Sequence, residues 1–381
     1  MKTPTTARVA SAAALALGLG LVSAGAAGAA PAHQRPAPAH ALFVETDNSV
    51  SNTILSYQRS SDGTIALAGT FSTGGAGGTA ANATADPLAS QGGLTLVDGN
   101  RELLAVNAGS DTVSVFAVEG TSLRLTQQIS SGGLFPDSIS AHGRLVAVLN
   151  AGGAGSLAEF SLINGRLVAL PDQVRSLGLA NTTPPDFHHG AGQVSYTPNG
   201  QDLIVTTKLS TNAYEVFTVG ASGTLGATPV VTPADNALPF SFTFDSAGNV
   251  VATEASDSSV AIYRVTPSGS LTSLGSVSDG GAALCWISGA NGYFYGSNAG
   301  SGTLSLFTEN DADVPTLLSA TAATAHAGTT DSVISPDGDF LYVESGGAGT
   351  IDAFAIGASG ALTQIETIYN VPTASEGITA S

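Results

Sequence analysis

Lysine, histidine, cysteine and tryptophan are scarce in this chain, so their positions carry weight. Beyond the first thirty residues Lys208 is the only lysine, and the single Cys and single Trp stand side by side as Cys285-Trp286. His188-His189 follow a Pro184-Pro185 pair, and Lys208 and Glu254 each close an apolar strand-like run. A carboxylate or imidazole held on water acts as a general base, an ammonium stabilises the oxyanion that forms on an attacked carbonyl, and a second imidazole can protonate the departing alkoxide. Glu254 or His189 as base, Lys208 as oxyanion partner and His188 as acid would therefore suffice to open an ester-type bond. Proton-transfer chemistry of an isomerase or cyclase would use the same groups. The competing reading of Lys208 and Glu254 is an ion pair tying neighbouring elements together. Trp286 also reads as a packing anchor, and Cys285 as a small buried hydrophobe rather than a nucleophile.

Lys208 and Glu254 sit at equivalent points of a unit that recurs seven times: an apolar strand, a tight Asn/Gly/Ser turn, and an alternating strand ending in an aromatic. The clearest copy is Leu103–Phe116, LLAVNAGSDTVSVF. Others begin at Leu145, Leu203, Val250, Tyr293 and Phe340, and a looser one opens at Ala41. Repeats of about 40–60 residues with strand chemistry in each copy are the signature of a β-propeller. Aligning the copies on their terminal aromatic places Glu45, Asn107, Asn150, Lys208, Glu254, Asn298 and Glu344 at the end of each second strand, around the mouth of the central channel. Asn there serves turns well. Asn107, Asn150, Asn298 and Glu344, with Phe240 and Trp286, are the expected substrate-binding residues. A ring of Glu and Asn oxygens could also take a divalent cation such as Ca²⁺, which Lys208 would repel; no cofactor or metal is expected. The chain has no zinc motif, no Gly-x-Ser-x-Gly elbow and no phosphate loop.

Each full repeat adds a first strand and a turn such as Ser335-Pro336-Asp337-Gly338 before the recurring unit, and after it a fourth strand led by Gly-x-Leu, as at Gly223, Gly269 and Gly360. The expected class is all-β: a seven-bladed propeller of four-stranded blades over residues 40–381. Blades start near Ala41, Leu94, Asp137, Gly190, Leu238, Ala283 and Thr330. The first repeat lacks its first strand, and Glu376–Ser381 reads as that strand, so the tail should pair with the N-terminal blade and close the ring, removing two open edges. Gly74–Gly93 is expected to be a surface loop between blades one and two, and Leu179–His189 a second long connection of the kind that carries binding.

Residues 1–30 combine Lys2 and Arg8, an Ala/Leu/Gly/Val run and a small-residue site at Ala27-Gly28-Ala29, as a secretory signal peptide does; residues 31–39 read as a disordered Pro/Ala lead-in. The expected location is therefore outside the cell. Without Lys2 and Arg8, nine basic side chains face 29 acidic ones, a net charge of −20, which argues against nucleic acid and anionic membranes as partners. No later run is long and apolar enough to span a bilayer. One cysteine excludes an internal disulfide, and a closed ring needs no second copy, so a monomer is expected.

The repeated strand–NAGS–strand units, the turns Ser335-Pro336-Asp337-Gly338 and Thr197-Pro198-Asn199-Gly200, and the Gly-x-Leu strands together resemble the seven-bladed lactonase propellers, which include 6-phosphogluconolactonase and carboxymuconate cyclase. His188-His189-Gly190-Ala191-Gly192, Thr206-Thr207-Lys208, Leu238-Pro239-Phe240, Thr253-Glu254-Ala255 and Cys285-Trp286 resemble a secreted actinobacterial group with this fold. The resemblance implies a hydrolase taking a small lactone or ester. It departs from the enzymes in two motifs: their His-x-His at the start of blade four corresponds here to Gly190 and Gly192, and their Asp-Leu-Gly-x-Asp after the next strand is replaced by Lys208-Leu209-Ser210-Thr211-Asn212. A non-catalytic propeller binding a small molecule, glycan or protein is the alternative, and a cyclase, isomerase or Ca-dependent lactonase a weaker one.

Overall fold

The computed structural model describes residues 40–235 and 237–381; the leader and lead-in read at residues 1–39 lie outside them. Seven antiparallel sheets of four strands each form the blades. Six of them run in simple chain order from the innermost strand outward, because the mostly short connections between successive strands favour antiparallel neighbours. The innermost strands are Leu94–Val97, Pro136–His142, Gln193–Tyr196, Pro239–Phe244, Leu284–Ala290, Thr329–Ile334 and Ile378–Ala380. Each touches the innermost strand of the next blade, so together they surround the axis.

The seventh sheet is built from both ends of the described chain. Ile378–Ala380 pairs antiparallel with Ala41–Glu45 in the register Leu42 to Ala380, Phe43 to Thr379 and Val44 to Ile378. The seam is fastened by Ser381 N to Ala41 O at 2.9 Å and by the Arg59 guanidinium donating to Ser381 O at 3.0 Å. The expected closure by the tail is what the structure contains.

Between blades the alternation of each strand buries one face against its neighbour. Tyr214 and Val216 of blade four meet Phe242, Val250 and Ala252 of blade five, and Tyr295 and Leu304 of blade six meet Leu341 and Val343 of blade seven. Two of the glycines that lead fourth strands also join blades. Gly360 has φ +76°, and its carbonyl accepts from Tyr295 Oη at 2.9 Å; Gly63 accepts from Tyr342 Oη in the same way. Among the described residues the only helical pieces are single turns at Ala108–Ser110 and Lys208–Thr211, and no helix is long and apolar enough to cross a membrane.

One connection departs from expectation. The segment 74–93 is not a surface loop but a cover laid across the channel mouth, with Asp86, Leu88, Ala89 and Ser90 all buried. It bonds to Asn48 of blade one through Gly77 N (2.9 Å) and accepts at Ala76 O from Gly109 N of blade two (3.1 Å). Ser90 Oγ donates to Asp137 O of blade three at 2.7 Å. Gln91 N reaches Gly192 O of blade four at 3.0 Å, and Gln91 Nε2 reaches Ile287 O of blade six at 3.0 Å. Its glycines are there for close approach: a Cβ on Gly77 would stand 2.1 Å from the backbone of Asp47, and one on Gly78 would stand 2.7 Å from Ala108 Cβ.

Candidate functional site

The innermost strands of blades three, five, six and seven each begin with a register shift, between Pro136 and Ser138, Pro239 and Phe242, Leu284 and Trp286, and Thr329 and Ser332. A bulge at a strand start re-aims the extra residue. Here the bulged residues include Asp137, Phe240, Cys285 and Asp331, and they gather at the mouth beneath the cover.

Lys208 is the centre of one half of that mouth. It does not end a strand: the second strand of blade four stops at Thr206, and Lys208 opens the helical turn at φ +44°, a left-handed backbone unusual for a side chain of this size. That conformation, at a cost of about 1 kcal/mol or more, accompanies an inward-lying ammonium. Nζ donates to Ala89 O of the cover at 2.6 Å and lies 5.4 Å and 5.3 Å from the ring centroids of Phe187 and Phe240. The side chain is 1% exposed. Burial pulls its pKa down to about 8, opposed by the charges of Asp137 and Asp86. Trp286 packs edge-to-face on Phe240 at 5.0 Å and donates from Nε1 to Ser90 O at 2.8 Å. Burial pushes the neighbouring Cys285 thiol up to about 12, so it has no thiolate character.

The expected Lys208–Glu254 ion pair is absent among the described residues. Glu254 does end its strand, but on the face it shares with Val250 and Ala252, against blade four. Its carboxylate accepts from Tyr263 Oη, and from Ser259 Oγ at 3.3 Å, and burial raises its pKa.

His188 and His189 are both exposed. His189 Nδ1 is 2.8 Å from Asp186 Oδ1, and Asn82 of the cover donates to Asp186 Oδ2 at 2.7 Å. The hydrogen bond from His189 is the first cause holding the Asp186 carboxyl down to about 2. His188 takes a different part: its ring stands edge-on to Phe187 at 5.2 Å, and its carbonyl accepts from Leu209 N at 2.9 Å. The loop that carries the dyad runs past the lysine: a Cβ on Gly190 would lie 3.5 Å from Lys208 Nζ. A Cβ on Gly192 would lie 2.3 Å from Phe240 O, so the second histidine of the family's His-x-His has no room in this backbone.

The asparagines expected to bind substrate are all buried beneath the segments that link one blade to the next. Asn107 bonds Thr73, Asn52, Thr112 and Ser114. Asn298 donates to Asp279 and Ser305, and Asn150 donates to Ser131 O at 3.3 Å. They join strand ends, as turn-forming asparagines do.

The other half of the mouth holds a set of buried carboxyls: Glu45 and Glu344, which the repeat alignment placed there, and Asp47, Asp86, Asp331 and Glu376, which it did not. Both oxygens of Glu344 and of Glu376 lack a hydrogen-bonding partner, as do both of Asp137. Burial drives Asp86 and Asp331 up to about 7 and holds Asp47, Glu344 and Glu376 well above the usual carboxylate range. These groups also repel one another, so they keep protons where isolated carboxyls would not. Among the described residues no group of three or more His, Cys, Asp or Glu side chains is arranged to hold a metal ion.

A closed ring of seven four-stranded blades with its polar chemistry at one channel mouth defines the class, and comparison with known proteins agrees. The sequence model described as Lactonase, 7-bladed beta-propeller matches residues 27–154, and the resemblance read from the repeats extends in fold around the whole described ring. The periplasmic gluconolactonase of Pseudomonas aeruginosa aligns with a TM-score of 0.69 at 18% identity, over 90% of this chain and 98% of that one. A candidate 6-phosphogluconolactonase of Bacteroides fragilis gives 0.69 at 17% over 90% and 98%, and one of Bacteroides uniformis gives 0.70 at 16% over 91% and 100%. No curated protein matches the chain.

Proposed function

We propose that this propeller is an exported lactonase-like hydrolase that opens a small lactone or ester, with His189 as its general base. The observation that carries the reading is the exposed His189–Asp186 pair on the loop that runs past the only lysine described. With Nδ1–H donated to Asp186, Nε2 faces solvent and can take a proton from water, while the carboxylate orients the ring and stabilises the imidazolium. Among the described residues Lys208 is the only ammonium able to favour an oxyanion, and a Cβ on Gly190, next in the chain after His189, would lie 3.5 Å from its Nζ. The family match over residues 27–154 supports the substrate class, and the composition of residues 1–30 supports export. Glu254, bonded to Tyr263 and Ser259, reads as a strut between blades four and five.

The test is initial-rate hydrolysis of a panel of lactones and aryl esters by the purified protein. His189→Gln should lower the rate by about 10²–10⁴, Asp186→Asn should lower it as well, and Glu254→Gln should leave most of it. No turnover above buffer on any member would sink the hydrolase reading. It would leave the second one, a non-catalytic binding propeller, which the cover over Lys208, Phe240 and Trp286 favours.

A further inference from the structure

The cover and the two donors beneath it make an unusual match. Lys208 Nζ and Trp286 Nε1 come from different blades, four and six, yet they donate to consecutive carbonyls of one segment, Ala89 O at 2.6 Å and Ser90 O at 2.8 Å. Among the described residues neither donor has another acceptor. Phe240 touches both, 5.3 Å from the ammonium and 5.0 Å from the indole. Two buried donors between aromatic walls form a site for a polarised but uncharged carbonyl, because apolar walls exclude water and strengthen each hydrogen bond. An anion would fare worse. Asp137 stays in the ring beside Lys208, fully buried with neither oxygen bonded.

The cover is held mainly by hydrogen bonds and glycine contacts. Its buried apolar side chains are Ala80, Pro87, Leu88 and Ala89. Glycine pairs bracket it, Gly74-Gly75 before and Gly92-Gly93 after, with Gly74 at φ +79° and Gly92 at φ +90°. Those are pivots at both ends of a segment poor in apolar anchorage, the profile of an element that opens below the free energy of global unfolding.

We infer that residues 74–93 are a removable cover whose Ala89 and Ser90 carbonyls occupy, in the closed state, a carbonyl-binding site made by Lys208 and Trp286 for an uncharged lactone or ester. The inference rests on the hydrolase reading for its substrate class, but it can fail separately from it.

Cys285, the only cysteine, is 5% exposed beside Trp286 and reports on opening. Asp86 accepts from Leu88 N and Ala89 N at 2.8 Å and from Ser90 N at 3.0 Å, so Asp86→Ala loosens the cover where it meets both donors. In the full chain, well below its melting temperature, Asp86→Ala should be alkylated at Cys285 by N-ethylmaleimide at least about tenfold faster than the native protein. Millimolar δ-valerolactone should slow that reaction, and 5-hydroxyvalerate, its ring-opened anion, should not. Adding Lys208→Met should abolish the protection. Equal labelling of variant and native protein, equal protection by the anion, or protection that survives Lys208→Met would each overturn the proposal. Should Asp86→Ala fail to fold, native hydrogen exchange decides: Leu88 and Ser90 amides should exchange at least about 100-fold faster than those of Val146 and Val148, and equal rates would show that the segment opens only with the ring. Protection without turnover would remove His189 as catalyst and leave the cover standing; turnover lost in His189→Gln without protection would remove the cover alone.

Discussion

The two halves of the channel mouth solve the burial of charge in opposite ways. On the side of blades four to six, one ammonium is kept ionisable by a carbonyl, two aromatic faces and nearby acids. On the side of blades seven and one, Glu45, Asp331, Glu344 and Glu376 are crowded together; Asn52 donates to Glu45 and Ser332 N to Asp331, but neither oxygen of Glu344 or Glu376 has a donor. Hydrogen bonds cannot satisfy that second half, and protons must. A single segment lies over both, giving carbonyls to the cationic half and Asp86 to the acidic one. The contrast teaches that the chemistry of this mouth is polarised across the ring, and that its two sides should answer differently to pH.

The largest effect expected comes from the strand that carries Glu376 into the acidic half. Deleting residues 372–381 opens the sheet of blade one and should abolish cooperative melting or lower the melting temperature by about 15 °C or more. A truncated protein that melts like the intact one would break the closure.

Next comes pH. Asp86 and Asp331 hold their protons up to about 7 in the fold, against 3.8 ordinarily. Each therefore contributes stability that is complete below about pH 4 and lost as pH rises through about 7. The melting temperature should fall by several degrees from pH 5 to pH 8, and Glu344→Gln should raise it more at pH 8 than at pH 5. A curve that rises toward pH 8 would show that these carboxyls are neutralised by something other than protons.

Lys208→Met sharpens the comparison from the other side. It leaves Ala89 O unpaired and the neighbouring acids without their cation, a loss of about 1–3 kcal/mol in urea denaturation that should be greater at pH 8 than at pH 5. The smallest change sets the baseline: Arg264→Ala removes an exposed ion pair to Asp313 at 3.0 Å, and should cost under about 0.5 kcal/mol at either pH.

The blades were legible because strand alternation and turn chemistry recur in every copy. Even the missing first strand could be placed, since Gly377-Ile378-Thr379 has the right pattern for a gap that only one position in the ring could fill. The cover was not legible. Gly74–Gly93 has no periodicity and little apolar content, and its burial comes from backbone fitted against backbone, which hydropathy does not register. Glu254 was placed correctly along its strand but not around it, because alternation with Val250 and Ala252 decides the face. The acidic half left a trace that could have been read: Asp137-Ser138 and Asp331-Ser332 repeat at the same point of blades three and seven, where a bulge turns the aspartate to the axis. Asp186, the partner of His189, carried no such trace, since a loop alone brings them together.

Blade one has a further consequence for how the molecule comes into being. The hydrogen bond from Ala41 N to Ser381 Oγ joins positions 340 residues apart, so three strands of that blade are synthesised long before the fourth exists. Until residues 378–380 arrive blade one lacks its innermost strand and the ring stays open, so closure has to wait for the meeting of the two distant ends.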